Sequence, residues 1–243
     1  MPSGGMEFGR ARAPDTVASG CVVAHDPVTV TARAPSLGES VAELRDSARL
    51  FYDRGWAFGT SGNYSVVIDR APLRLLITAS GRDKRRLSAG DFLVVDDAGL
   101  PVERKDSKPS AETMLHVALA RRPGVGCVLH THSVWNTVLS ERHAGDGSLR
   151  IADYEMLKGL AGIQTHDTAV EIPIFENTQD IPALAERLVR ELNPEPSPPH
   201  AFLIVGHGLY TWGCDLNEAR RHVEILEFLF EVVGRRSASV GRD

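Results

Sequence analysis

Val125-Gly126-Cys127-Val128-Leu129-His130-Thr131-His132-Ser133 decides how this chain is read. A short apolar run entered through Pro123-Gly124 has the pattern of a buried strand. Side chains two apart on a strand share a face, so His130 and His132 can converge on one point. A second run, Ala201-Phe-Leu-Ile-Val-Gly-His207-Gly208, carries another imidazole at its end. Its glycines let the backbone bring a bulky ring into a crowded place. If the three rings meet, three protein nitrogens with an open fourth position give the layout of a catalytic zinc, whereas structural zinc is closed by four ligands. His-x-His alone is equally compatible with ordinary histidines; His207 sharpens the reading. Cys127 has the opposite strand parity and reads as a small buried hydrophobe.

Outward from these runs, the 243 residues are enough for one large domain with an ample core. Apolar residues at 42% and charged residues at 24% are ordinary globular values. A formal net charge of -5 argues against nucleic acid and anionic membrane surfaces as partners. No window is apolar for the length of a membrane span, and the N-terminus lacks a basic-then-apolar leader pattern. Cys21, Cys127 and Cys214 are scattered, which fits a reduced, cytoplasmic protein better than a disulfide framework.

Residues 1–35 are rich in Gly, Ala, Pro, Arg and Thr and are expected to be a flexible extension, with Val22-Val23 and Val28-Thr29-Val30 as material for a short strand. Ser36-Leu-Gly-Glu39 is a capping box opening a helix whose stripe is Val41, Leu44, Ala48 and Phe51, with Gly55 as its stop. Strands are expected at 63–68, 73–78 and 92–95, and a helix capped by Ser110 running to about Arg122. A helix near 133–140, another around 154–160, a strand at 170–174 and a helix from Ile181 to Leu192 follow. Residues 193–199 are proline-rich loop, and a final amphipathic helix is capped by Asp215-x-x-Glu218. The catalytic domain is thus expected over 36–234, with a frayed tail at 235–243. Interleaved strands and helices give a layered α/β/α domain.

Gly59-Thr-Ser61-Gly62-Asn63 and Thr78-Ala-Ser80-Gly81 are loops dense in glycine and hydroxyls, which suit a phosphate. Neither is a P-loop, and taken singly each also reads as a plain turn. Arg82, Lys84, Arg85 and Arg86 add positive charge beside them. Glu112 falls at the start of a helix, where the macrodipole favours an acid in any case. Glu155 reads from pattern alone as a helix-surface residue. His116 and His222 read as surface or packing histidines.

Together these motifs resemble the class II aldolase/epimerase superfamily, and within it the methylthioribulose-1-phosphate dehydratase branch. The likeness is carried by Gly59–Asn63, Ser80-Gly81, Lys108-Pro-Ser-Ala-Glu-Thr113, His130-Thr-His132, Glu155-Met-Leu-Lys-Gly159, Pro173-Ile-Phe-Glu-Asn-Thr178 and Gly206-His-Gly-Leu-Tyr-Thr-Trp-Gly213, in the family's order over roughly residues 40 to 232. The histidine set is common to the superfamily; the Glu155 and Pro173 blocks are the marks of the dehydratase branch. The resemblance implies an α/β fold of three layers, a central mixed, largely antiparallel sheet flanked by helices. It implies one zinc ion per subunit on His130, His132 and His207, although three imidazoles also suit iron, nickel or copper. Glu155 matches the dehydratases' acid/base and Glu112 the aldolases' catalytic glutamate. Ser61, Gly62, Asn63, Ser80, Gly81 and Lys84 fall where the family contacts phosphate.

The activity so implied is dehydration of 5-methylthioribulose 1-phosphate to 2,3-diketo-5-methylthiopentyl 1-phosphate in methionine salvage, by a homotetramer with active sites near subunit interfaces. The nearest rival is a class II sugar-phosphate aldolase. A non-catalytic module on the same fold would be expected to have lost the histidines.

Overall fold

The computed structural model describes residues 35–103, 108–192 and 199–240. The strand suggested at 22–30 and the extension before Pro35 lie outside them, as does most of the 193–199 loop. Helix α1 (Leu37–Asp53) starts as its capping box requires: Ser36 Oγ accepts from Glu39 N–H, and the Glu39 carboxylate accepts from Ser36 N–H at 2.6 Å. Gly55 follows its end at φ +79°, the left-handed position that a helix stop uses.

Among the described residues, eight strands form one sheet: β1 (Asn63–Arg70), β2 (Leu73–Thr78), β3 (Phe92–Val95), β4 (Cys127–Thr131), β5 (Ser148–Ala152), β6 (Ala169–Phe175), β7 (Ala201–Ile204) and β8 (Gly208–Gly213). Their spatial order is β3-β2-β1-β4-β8-β7-β6-β5, and only the β6–β7 pair is parallel. The sheet is therefore mixed and largely antiparallel, as expected. Helices α2 (Thr113–Ala120) and α4 (Ile181–Glu191) cover one face, packing Leu115, Leu119, Leu184 and Leu188 on Val128, Phe202 and Tyr210. Helices α1, α3 (Val134–Arg142) and α5 (Leu216–Val240) cover the other, where Cys127 and Leu129 meet Leu44, Phe51 and Val223. Cys127 is fully buried and free, which bears out its parity. Cys214 is disulfide-bonded, so the expectation of a wholly reduced set does not hold: wide spacing along a chain does not keep a thiol from a partner in space.

Register sets which strand ends lie side by side. Asn63 pairs with His130, Thr131 with Leu209, Gly208 with Ile204, and Ile204 with Phe175. The Thr78 hydroxyl accepts from Tyr64 N–H, tying the end of β2 to the start of β1. The end of β2, the start of β1, the end of β4, the β7–β8 turn and the end of β6 therefore lie along one edge of the sheet, in that order.

Three expectations change. The helix expected around 154–160 is a 3-10 turn, Glu155–Gly159, because α5 packs directly on it: a Cβ on Gly159 would lie 2.5 Å from the Ile225 side chain. The helix capped by Ser110 begins later, with Glu112 at the N-cap. Helix α5 does not fray at Gly234 but runs to Val240, since Gly234 is the small contact that lets the Trp135 ring lie close against the helix.

Candidate metal centre

The three imidazoles meet. His130 and His132 ring centroids are 4.5 Å apart, His132 and His207 4.8 Å, and His130 and His207 5.0 Å. One nitrogen from each lies within 4.8 Å of the others. His130 comes from the end of β4, His132 from the residue just past it, and His207 from the β7–β8 turn.

Local sequence explains the convergence. Gly206 takes φ +60°, which turns the chain at once from β7 into β8. A Cβ on Gly208 would strike the Thr131 carbonyl and lie 2.9 Å from the His130 ring, so only glycine fits there. His130 is fully buried and stacks on Tyr210 at 4.0 Å, with Phe202 stacked on the far side of Tyr210 at 4.9 Å. The His132 N–H donates to the Trp56 carbonyl at 2.8 Å, fixing where the chain leaves the strand.

The donor set fits a metal. His130 Nδ1–H donates to the Leu209 carbonyl at 2.9 Å, which leaves Nε2 with its lone pair. That Nε2 is buried and has no hydrogen-bond partner. Burial pushes His130 well below the usual imidazole range, and burial with the nearby His207 pushes His132 down to about 4. Both rings are thus neutral at pH 7, the form that ligates.

Glu112 lies against this cluster. Its Oε1 is 2.9 Å from His207 Nε2 and its Oε2 3.6 Å from His130 Nε2. Burial alone would raise its carboxyl; the bond from His207, the two imidazoles and the Asn63 amide outweigh burial and hold it well below the usual carboxylate range. Glu112 is free to do this because it caps α2 only with its backbone. Behind it runs a chain of bonds that sequence reasoning missed. Asn63 Nδ2 donates to Glu112 Oε2 at 2.6 Å and to Ser110 Oγ at 3.1 Å, and Asn63 Oδ1 accepts from His116 Nε2. The buried His116 Nδ1 in turn accepts from Ser65 Oγ at 2.8 Å. One helical turn separates Glu112 from His116, and that spacing was the available signal.

A cavity of about 520 Å³ opens over the cluster. Ser61, Gly62, Asn63, Ser80, Gly81, Lys84, Glu112, His132 and His207 line it, together with Thr178, Gln179, Ile181 and Pro182, which sequence reasoning did not single out. Gly62 sits at φ +76° with its missing Cβ 2.6 Å from the His130 carbonyl, so the loop lies flat on β4. Lys84 is buried and spends two of its three protons on the Thr60 and Arg82 carbonyls. Desolvation brings it down to about 8, against the pull of Asp83 and Asp91. Asn63 also lines the cavity, where both ends of its amide are engaged by Glu112, Ser110 and His116.

Glu155 is not in the cavity. It is exposed on the 3-10 turn, paired with Lys158 and 3.4 Å from His166 Nδ1. The Lys158 bond chiefly holds its carboxyl below the ordinary value. The backbone next to that turn is clamped: Arg221 Nε donates to Gly159 O, His222 Nε2 accepts from Ala161 N–H, and His200 Nε2 donates to Ala161 O. His222, read from sequence as surface or packing, is buried for this purpose.

The model of the class II aldolase and adducin N-terminal domain matches residues 42–233. The chain belongs to that family. Among class II aldolase relatives, a methylthioribulose-1-phosphate dehydratase of Pseudomonas paraeruginosa is 50% identical over 190 residues, covering 78% of this chain and 90% of that protein. One of Xanthomonas campestris pv. campestris is 45% identical over 208 residues, covering 82% and 94%. The crystal structure of L-fuculose-1-phosphate aldolase from Thermus thermophilus shares the class II aldolase fold, with a TM-score of 0.68 at 24% identity, over 86% of this chain and 100% of that one.

Proposed function

We propose that this chain is a hydro-lyase that removes water from 5-methylthioribulose 1-phosphate in methionine salvage, yielding the 2,3-diketo-5-methylthiopentyl 1-phosphate. The observation that carries the chemistry is the convergence of three imidazoles beside a cavity whose rim is built from hydroxyl- and glycine-rich loops. The names of relatives at 45% to 50% identity favour dehydration over carbon–carbon cleavage.

His130, His132 and His207 would hold a divalent ion, proposed to be zinc, which would supply Lewis-acid chemistry toward the substrate carbonyl. Ser61, Gly62, Ser80, Gly81 and Lys84 bind the phosphate and so fix the neighbouring carbonyl carbon under the imidazoles. Glu112 keeps His207 oriented. A carboxylate takes the C3 proton and returns it to the C4 hydroxyl as that group leaves as water. The electron pair of the C3–H bond ends in a C3–C4 double bond, and ketonisation of the C3 enol gives the diketone. We assign the proton transfers to Glu155. Because it is exposed and outside its own chain's cavity, we assign it to the cavity of a neighbouring copy in the proposed homotetramer. A catalytic domain over 36–234 and a cytoplasmic setting belong to the same proposal.

One observation favours a second reading, aldol cleavage: the carboxylate against the histidines is Glu112, the one matched to the aldolases. Incubating the zinc-loaded protein with methylthioribulose 1-phosphate separates the two. Loss of one water with the carbon skeleton intact, abolished by chelator, is the expected result; release of a phosphorylated three-carbon fragment would overturn it.

A further inference from the structure

We infer that the wall formed by Thr178, Gln179, Ile181 and Pro182 receives the thioether end of the substrate and sets the enzyme's selectivity for a 5-methylthio over a 5-hydroxy sugar phosphate. The inference rests on the proposed dehydratase reading and assigns a part of the cavity for which that reading has no use.

Order along the sheet edge sets the direction of the substrate. At the β2 and β1 ends the cavity is lined by Ser80, Gly81, Gly62 and the buried Lys84, which bring the positive charge and the Ser80 hydroxyl. Next comes His132 past the end of β4, then His207 in the β7–β8 turn, and beyond them Thr178 and Gln179 past the end of β6. All of these stations line one cavity of about 520 Å³, so a substrate bound in it passes them in this order. The substrate has the same order. Its phosphate is on C1, its carbonyl and reacting carbons are C2 to C4, and its sulfur is on C5. With phosphate at the β1–β2 end and the carbonyl under the histidines, C5 continues toward β6.

The chemistry of that end agrees. On the β6 side of the cavity the lining includes two carbon-rich side chains, Ile181 and Pro182, and no charged one. Both stand in the first turn of α4, whose N-terminus is fixed by Asp180 accepting from Ala183 N–H at 3.1 Å and by Thr178 Oγ1 accepting from Asp180 N–H at 3.0 Å. Ile181 is also packed against the core under α4, so its outer edge is a rigid apolar surface rather than a mobile flap. A methyl thioether has no hydrogen to donate and gains by leaving water for such a surface, whereas a hydroxyl there forfeits its hydration. Thr178 and Gln179 complete the wall at the mouth.

The test compares kcat/KM for dehydration of methylthioribulose 1-phosphate and of ribulose 1-phosphate, which differ only at C5. Two variants are made in the full, zinc-loaded protein. Ile181→Thr keeps the branched shape, and Pro182→Ser changes an exposed position and so guards against a folding artefact. A pocket contact of this size is worth about tenfold or more in discrimination, so the ratio of the two kcat/KM values should fall about tenfold in each variant. A ratio unchanged in both variants, with wild type active on the thioether substrate, overturns the wall assignment while leaving the dehydratase reading intact. A wild type that dehydrates neither sugar overturns the dehydratase reading, and this inference with it.

Discussion

Oε1 of Glu112 lies 2.9 Å from Nε2 of His207, a carboxylate held as an anion against one of three converging imidazoles. The Asn63 amide holds its other oxygen, His116 holds Asn63, and Ser65 holds His116. A group gripped from both sides orients its neighbours; it is badly placed to swing between substrate carbons. Glu112→Gln keeps the shape and removes the charge. Partners that orient metal-bound histidines typically contribute about 10–100-fold in affinity, so zinc binding should weaken by that range in competition with a chromogenic chelator. Affinity equal to wild type would show that Glu112 does not support His207.

The proposed supply of Glu155 by a neighbouring copy predicts that two inactive chains complement each other. Glu155→Gln alone should keep its metal and lose dehydration by about 10²–10⁴-fold. His132→Ala alone should lose metal and activity together. Co-assembled, the two inactive chains should regain part of the activity, because a Glu155→Gln chain with intact histidines can borrow the carboxylate of its partner. If Glu155 served its own chain, every site in the mixture would carry one defect and no activity would return.

Lys84, proposed to bind the phosphate, should give substrate binding a pH signature. Burial brings it down to about 8, so it is charged below that pH and loses its charge as pH rises through it. The kcat/KM for a phosphorylated substrate should accordingly fall above about pH 8. Lys84→Met should lower kcat/KM across the range, mainly through KM, and flatten this limb. A wild-type profile with no limb near pH 8 would place the phosphate away from Lys84.

Much of the fold was legible because it rests on local rules. The Ser36–Glu39 capping box, the Gly55 stop, the strands at 73–78 and 92–95 and the parity of Cys127 follow from spacing alone. The histidine cluster was legible for the same reason, two ligands on one strand end and a third between glycines. What escaped depends on tertiary context. Strand β8, Gly208-Leu-Tyr-Thr-Trp-Gly213, is buried on both faces and shows no alternation to read. Glu112 passed for a helix-start acid because only the fold turns it onto His207. Glu227 sits four residues after Val223 on the stripe of α5, and an acid in that register was a signal of a buried polar contact that went unread.

That Glu227 underlies the strand end that carries His132. Its carboxylate accepts from Ser133 Oγ at 2.6 Å, Asn136 Nδ2 at 3.0 Å and Thr131 Oγ1 at 3.3 Å, so it grips the residues on either side of His132. Burial raises its carboxyl to about 7, although these three donors pull the other way. The folded value thus stands above the unfolded one. Its contribution to stability is fully present below pH 4.5 and is lost as pH rises through about 7, because the unfolded chain releases the proton first. Denaturant unfolding at pH 5 and pH 8 should show this loss in wild type and not in Glu227→Gln, whose side chain does not ionise. Glu227→Ala should destabilise at both pH values, on the order of 3 kcal/mol, since three buried donors lose their acceptor. Equal pH dependence in wild type and Glu227→Gln would mean that this carboxylate is already ionised across the window and that its three donors outweigh its burial.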